Sequence, residues 1–216
     1  MNIMSEIIQK IIYVAPAVLI ALSLHEFAHG WASYMLGDPT PKAQGRISLN
    51  PFHHLDLVGT LLLFFVGFGW AKPVQVDSRY YQNPKNDMVK VALAGPIMNF
   101  IVAFVAIFIF ELLNKLDVQV NLLTGYIAIL LQYIAIINVG LGIFNLIPIP
   151  PLDGSKVLMA VLPPKSYFSY MKYEQFGMIF LMMFICLGAF DGFLITARNA
   201  AMMGMDNIIL KILGLF

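Results

Sequence analysis

The apolar run at residues 11–36 constrains this chain more than any other feature. It is long enough to cross a bilayer, for which a helix needs about 20 mostly apolar residues. Yet it contains Leu22-Ser23-Leu24-His25-Glu26-Phe27-Ala28-His29-Gly30. Ionisable groups at membrane depth are costly, and they mark function by default. On a helix, two histidines four residues apart project from one face, one turn apart, so both imidazoles can reach one ion. Glu26 lies about 100° round the helix from His25 and about 60° from His29 on the other side.

The rest of the chain agrees with a membrane setting. Of its 216 residues 60% are hydrophobic and only 12% charged, against about 25% charged in a soluble domain. The simplest reading is a polytopic membrane protein of one domain, residues 1–216. The net charge of +1, with no basic run, excludes nucleic acid as a partner. Cys186, the single cysteine, lies in an apolar run and reads as a small packing residue. Residues 11–36 could be mistaken for a leader, but cleavage at Ala21 or Ser23 would destroy the helix that positions His25. They read as a retained span.

In order, the pattern predicts spans at about 11–36, 87–113, 122–146 and 173–196, and an amphipathic tail at 197–216. Gly37 and Asp38-Pro39-Thr40-Pro41 stop the first span. Residues 58–70 are apolar but too short to cross, so they read as a re-entrant segment. Residues 45–49 and 71–76 alternate like short strands. The predicted fold class is therefore an all-α polytopic membrane protein, with about four transmembrane helices, a re-entrant segment and short membrane-associated β-strands. Its catalytic core covers about 11–160, and the C-terminal span and tail cover 165–216. Nine of thirteen basic residues fall in 38–90 and 147–172. The positive-inside rule places those loops in the cytoplasm. His25 and His29 then lie roughly 10–17 Å below the cytoplasmic end of their helix.

His-Glu-x-x-His supplies two ligands for zinc and a general base for zinc-bound water, Glu26. A catalytic zinc needs a third protein ligand. Asp153 is the best candidate, because it follows the third span directly, behind the breaks imposed by Pro148, Pro150 and Pro151. Glu111, Asp191, His53 and His54 are weaker. Trp31 and Trp70 read as interface anchors. The competing readings are a metal-binding transporter, disfavoured by the lack of repeated halves, and a non-catalytic membrane scaffold, disfavoured by Glu26.

Three motifs agree in order and spacing with one family. His25-Glu-Phe-Ala-His29, Ala94-Gly-Pro-x-x-Asn99 and Asn145-x-x-Pro-x-Pro-Pro-x-Asp153-Gly154 closely resemble the site-2 protease family of intramembrane zinc metalloproteases (peptidase family M50). Gly45-Arg-x-x-x-Asn50-Pro51 and Gly69-Trp-Ala-Lys-Pro73 look like its small prokaryotic members. The resemblance implies one Zn2+ per chain on His25, His29 and Asp153, with Glu26 activating water. It implies an endopeptidase in the cell membrane of a prokaryote, cutting membrane-spanning or membrane-associated proteins. The partners are then a membrane-protein substrate and the lipid bilayer, and a homo-oligomer is compatible with this. Asn145 and Asn99 are candidates for holding substrate or the oxyanion.

Overall fold

The computed structural model describes residues 8–66, 69–172 and 174–215. Helix α1 covers Lys10–Met35, its first turn Lys10–Val14 being a π-helix. It ends at Gly37, whose φ is +103°. The N–H of Gly37 reaches Tyr34 O at 3.0 Å, and that of Asp38 reaches Ser33 O at 3.1 Å. This paired closure satisfies carbonyls that a helix end leaves open.

Helix α2 is Leu57–Val66, α3 is Pro84–Lys115 and α4 is Leu122–Asn145. The Asn83 side chain caps α3, whose first residue is Pro84. Asn121 and Thr124 form a reciprocal capping box at the start of α4. Among the described residues α1, α3 and α4 are the helices long and apolar enough to cross a membrane.

These three helices pack against one another through small residues. Ala17, Ala21 and Ala28 of α1, Ala103 and Ala106 of α3 and Ala135 of α4 are all buried. In lipid there is no hydrophobic drive between helices, so close backbone approach through small side chains supplies the contact. The opposite face of α3 presents Ile97, Ile101, Val105 and Ile109 at four-residue spacing, the stripe expected to face acyl chains.

Further helices follow: α5 (Asp153–Val161), α6 (Pro164–Met171), α7 (Glu174–Cys186) and α8 (Asp191–Ile212). The expected single span at 173–196 is a broken one. The stretch Phe176–Cys186 and helix α8 meet at 84°, and Gly188 takes φ +66° in the turn between them. Hydropathy registers composition but not direction, so it cannot see this bend. A fourth crossing exists only if that pair counts as one span. The expected amphipathic tail is continuous with α8. It seats Ile209 and Leu213 in one core cluster with Ala17, Ala106, Ile107, Ile134 and Ala135. The Lys115 ammonium donates to Leu213 O.

The expected strands do not pair into a sheet among the described residues. Residues 45–49 and 71–76 run through irregular and extended backbone, and the one bridge is antiparallel, Leu55 to Ala71. Lys72 N–H also reaches His54 O at 2.8 Å. The alternation instead reflects loop packing. The buried Arg46 guanidinium donates to His53 O, and the buried His54 Nε2 donates to Ser48 O at 2.7 Å. Helix α2 leaves and its chain returns beside the same bridge. At ten residues, about 15 Å long, it is too short to cross the roughly 30 Å hydrocarbon core. Residues 67 and 68 of the expected re-entrant segment lie outside the described residues.

Asp38 ties this loop to the end of α1. It is fully buried and accepts from Ser33 Oγ at 2.7 Å, Thr40 N–H at 2.9 Å and Asp77 N–H at 2.8 Å. Ser33 Oγ gives its hydrogen to Asp38, so the hydroxyl of Tyr81, 2.7 Å away, donates to Ser33. Burial pushes the Asp38 carboxyl up. The hydrogen bonds from Thr40, Asp77 and Ser33 outweigh that and hold it below its ordinary value. A carboxyl depressed in the folded state stabilises above its unfolded pKa, and the contribution fades as pH falls through the folded value. The thermal midpoint is therefore expected to drop on acidification below about pH 4. Asp38→Ala is expected to cost about 1–3 kcal/mol at neutral pH and to flatten that acid limb. Thermal unfolding followed from pH 6 to 3 in both chains checks this.

Candidate metal centre

His25 and His29 stand one turn apart on α1, with rings 4.6 Å between centroids and nearly perpendicular. Each ring is held through Nδ1. His29 Nδ1 donates to Val91 O at 2.7 Å, and His25 Nδ1 to Asn99 Oδ1 at 2.6 Å. Both acceptors lie on α3. With Nδ1 protonated, each Nε2 carries a lone pair.

Those lone pairs converge. The two Nε2 atoms are 3.0 Å apart, and each is 3.1 Å from Asp153 Oδ2. All three residues are buried. In the neutral rings the single hydrogen is the one on Nδ1, so these short separations bring acceptor atoms together. Such a cluster is repulsive unless a cation sits in its centre. Tetrahedral bonds of about 2.0–2.1 Å place ligand atoms roughly 3.3 Å apart, close to the spacing found. Two neutral imidazoles and one carboxylate, oriented by outer hydrogen bonds, are the donor set of a zinc site with an open fourth position. Among the described residues, His25, His29 and Asp153 are the group able to hold a metal in this way.

Asp153 arrives from the far side. Leu152 is extended, at φ −65° and ψ 154°, but Asp153 is already the first residue of α5. Gly154 lets α5 start against the end of α4, because a Cβ there would lie 2.3 Å from Leu146 O.

Helix α3 passes the two rings at Gly95. A Cβ at that position would lie 2.4 Å from His29 Nε2 and 2.5 Å from His25 Cε1. Sequence reasoning sees Gly95-Pro96 only as a packing or kink signal, since nothing local reveals which neighbour the glycine faces.

Glu26 is half-buried on the same cavity wall, and its Oε2 accepts from Val74 N–H at 2.9 Å. The cavity is about 140 Å³. It is bounded by the three candidate ligands, Glu26, Asn145, Lys156 and the Pro73–Val76 stretch. A larger cavity of about 310 Å³ along Val14–Leu22 of α1 has an almost wholly apolar wall. Asn145 has one amide hydrogen on Leu141 O at 3.1 Å and borders the cavity. Asn99 does not. It is fully buried, and its two amide hydrogens go to Ala21 O at 3.1 Å and Asn138 Oδ1 at 2.8 Å. That leaves no hydrogen for an oxyanion, so its contact with the site runs through His25. Lys156 went unread in the sequence, although it lies three residues after Asp153 on a helix, a spacing that brings side chains together. His53 and His54 belong to the 45–56 loop, and Cys186 is an exposed free thiol.

Comparison with known proteins points the same way as the geometry. The profile of peptidase family M50 matches residues 13–129 and 118–188. YwhC of Bacillus subtilis, provisionally named a zinc metalloprotease, is 37% identical over 177 residues, 80% of each chain. Rip2 of Mycobacterium tuberculosis, named in the same way, is 27% identical over 180 residues, 81% of this chain and 66% of that relative. The zinc metalloprotease MJ0392 of Methanocaldococcus jannaschii is 35% identical over 89 residues, 41% of this chain and 23% of its own length. No solved structure matches the chain.

Proposed function

The chain belongs to peptidase family M50, and from that premise we propose that it is an intramembrane zinc endopeptidase acting on membrane-spanning or membrane-associated proteins. The observation that carries the reading is the meeting of His25 Nε2, His29 Nε2 and Asp153 Oδ2 beside the Glu26 carboxylate.

His25, His29 and Asp153 would hold one Zn2+, which would lower the pKa of a water and polarise the scissile carbonyl. Glu26 takes the proton of the attacking water and returns it to the leaving amine. The Val74 N–H on one carboxylate oxygen of Glu26 fixes the rotamer and leaves the other oxygen to do this. Asn145 offers its second amide hydrogen to the developing oxyanion. A helical substrate hides its amides, so the target strand unwinds. The extended Pro73–Val76 stretch on the cavity wall is where an unwound strand lies alongside backbone.

The site opens toward the loops at 38–83 and 147–152, which lie on the basic-rich side. This charge bias supports a site nearer the cytoplasmic face, in the prokaryotic cell membrane that the family resemblance implies.

The test is metal dependence. Purified chain is expected to contain one zinc and to cleave a single-span substrate protein, to lose cleavage when stripped by a chelator, and to regain it with Zn2+. The Asp153→Ala chain is expected to take up no stoichiometric zinc and to show no recovery. Cleavage that survives stripping in the wild type would sink the proposal.

A further inference from the structure

We propose that Asn138 is a positioning residue for the metal site, acting through Asn99 to fix which nitrogen of His25 carries the proton. The inference rests on the metal reading above. Asn138 lies on α4, touches none of the three candidate ligands, and is fully buried. No motif in the sequence marks it.

The polarity of the contacts can be followed from one end. Asn138 Nδ2 donates to Ile134 O at 2.9 Å. A backbone carbonyl only accepts, so the amide of Asn138 has one orientation, with Oδ1 toward Asn99. Asn99 Nδ2 lies 2.8 Å from that Oδ1 and 3.1 Å from Ala21 O. Both are acceptors, so the Asn99 NH2 group spends both hydrogens there. Asn99 Oδ1 must then face His25 Nδ1, at 2.6 Å. An amide oxygen cannot donate, so Nδ1 keeps its hydrogen and the lone pair is on Nε2. That is the nitrogen 3.0 Å from His29 Nε2 and 3.1 Å from Asp153 Oδ2.

Buried asparagines also join membrane helices without any further role. Such glue works with either amide orientation. Here two backbone carbonyls, one on α1 and one on α4, anchor the pair and leave a single direction. Turning either amide over would set NH2 against NH2, or N–H against the ring N–H, between two fully buried side chains. The parallel bond of His29 ends on a backbone carbonyl directly and needs no such support. The two rings thus reach the same tautomer by different means, and only the His25 tautomer depends on side chains.

Two variants test the relay. Asn138→Leu keeps the volume and removes the acceptor. Asn138→Asp keeps an acceptor oxygen facing Asn99. Zinc affinity of the metal-free full-length chains in detergent is measured by competition with a chromogenic chelator. Thermal unfolding of the same metal-free chains is measured alongside, and the visible spectrum of the cobalt(II) forms reports ligand geometry. Loss of an outer partner of a metal-bound histidine costs about 10–100-fold in affinity. The expected result is a weakening of about tenfold for Asn138→Leu with a changed cobalt spectrum. Asn138→Asp is expected to stay within about threefold of wild type, below that range, with the spectrum kept. This pattern should hold whichever variant unfolds at the lower temperature. Equal affinities in the two variants, or affinities that simply track lost thermal stability, overturn the relay and leave the metal reading intact. A wild-type chain that binds no zinc overturns both.

Discussion

Glu26→Gln is expected to abolish peptide hydrolysis while leaving the zinc content of the chain unchanged. Glutamine has the same length and keeps an oxygen for Val74 N–H, so the wall of the cavity is preserved. Glu26 is not among the atoms that converge on the metal position, where the short separations belong to His25, His29 and Asp153. What the substitution removes is the ability to take and return a proton. A positioned acid-base group contributes about 10²–10⁴-fold, and with no second carboxylate on the cavity wall besides Asp153 the loss should reach the upper part of that range. Zinc content by elemental analysis and cleavage of a single-span substrate are the two readouts. Equal cleavage by wild type and variant would show that the proton is handled elsewhere.

Gly95→Ala is expected to be nearly as damaging, through geometry alone. One added methyl group would sit 2.4 Å from His29 Nε2 and 2.5 Å from His25 Cε1, well inside contact distance. Neither ring can retreat without giving up its bond to Val91 O or Asn99 Oδ1, both of which lie on the same helix as the glycine. The conflict is therefore between two demands of α3: it must approach closely enough to hold Nδ1 and still clear Nε2. Overpacking of this kind costs about 1–3 kcal/mol in stability. A displacement of about 1 Å at a reacting centre costs on the order of 10²-fold in rate. Zinc affinity, cleavage rate and thermal midpoint should all fall together. A variant with normal zinc affinity would mean that α3 can move aside freely.

The difference between these two positions shows what the sequence makes legible. Glu26 announces itself, because His-Glu-x-x-His is a local pattern and a helix converts spacing into direction. Asp153 could be singled out because prolines end the preceding helix beside it. Gly95 and Asn138 are also single residues on long apolar helices, but their roles are set by what crosses them. Gly95 lies 66 and 70 positions from His29 and His25, and Asn138 lies 39 positions from Asn99, separations that leave no periodic signal. Asn99 stands out in the sequence as a polar residue in a span, but its contacts with His25, Ala21 and Asn138 are legible only from the fold. The alternation at 45–49 and 71–76 misleads for the opposite reason. Alternation was present, but Arg46 and His54 were buried by loop contacts rather than by a neighbouring strand. The bend at Gly188 was invisible because both arms are apolar.

The bridge between Leu55 and Ala71 has a consequence for counting. His25 and His29 lie in the half of α1 that ends at Met35, and Asp153 follows the end of α4. Between them lie α3 and α4, both long and apolar enough to cross, an even number, so a chain that crosses by both comes back to the face it left. Had α2 crossed as well, the parity would be odd and Asp153 would emerge about 30 Å away on the opposite face. A ten-residue helix whose two flanks are pinned together by one antiparallel bridge is what keeps the count even. His25 and His29, encoded early in the chain, and Asp153, encoded late, meet because the apolar segment between them turns back.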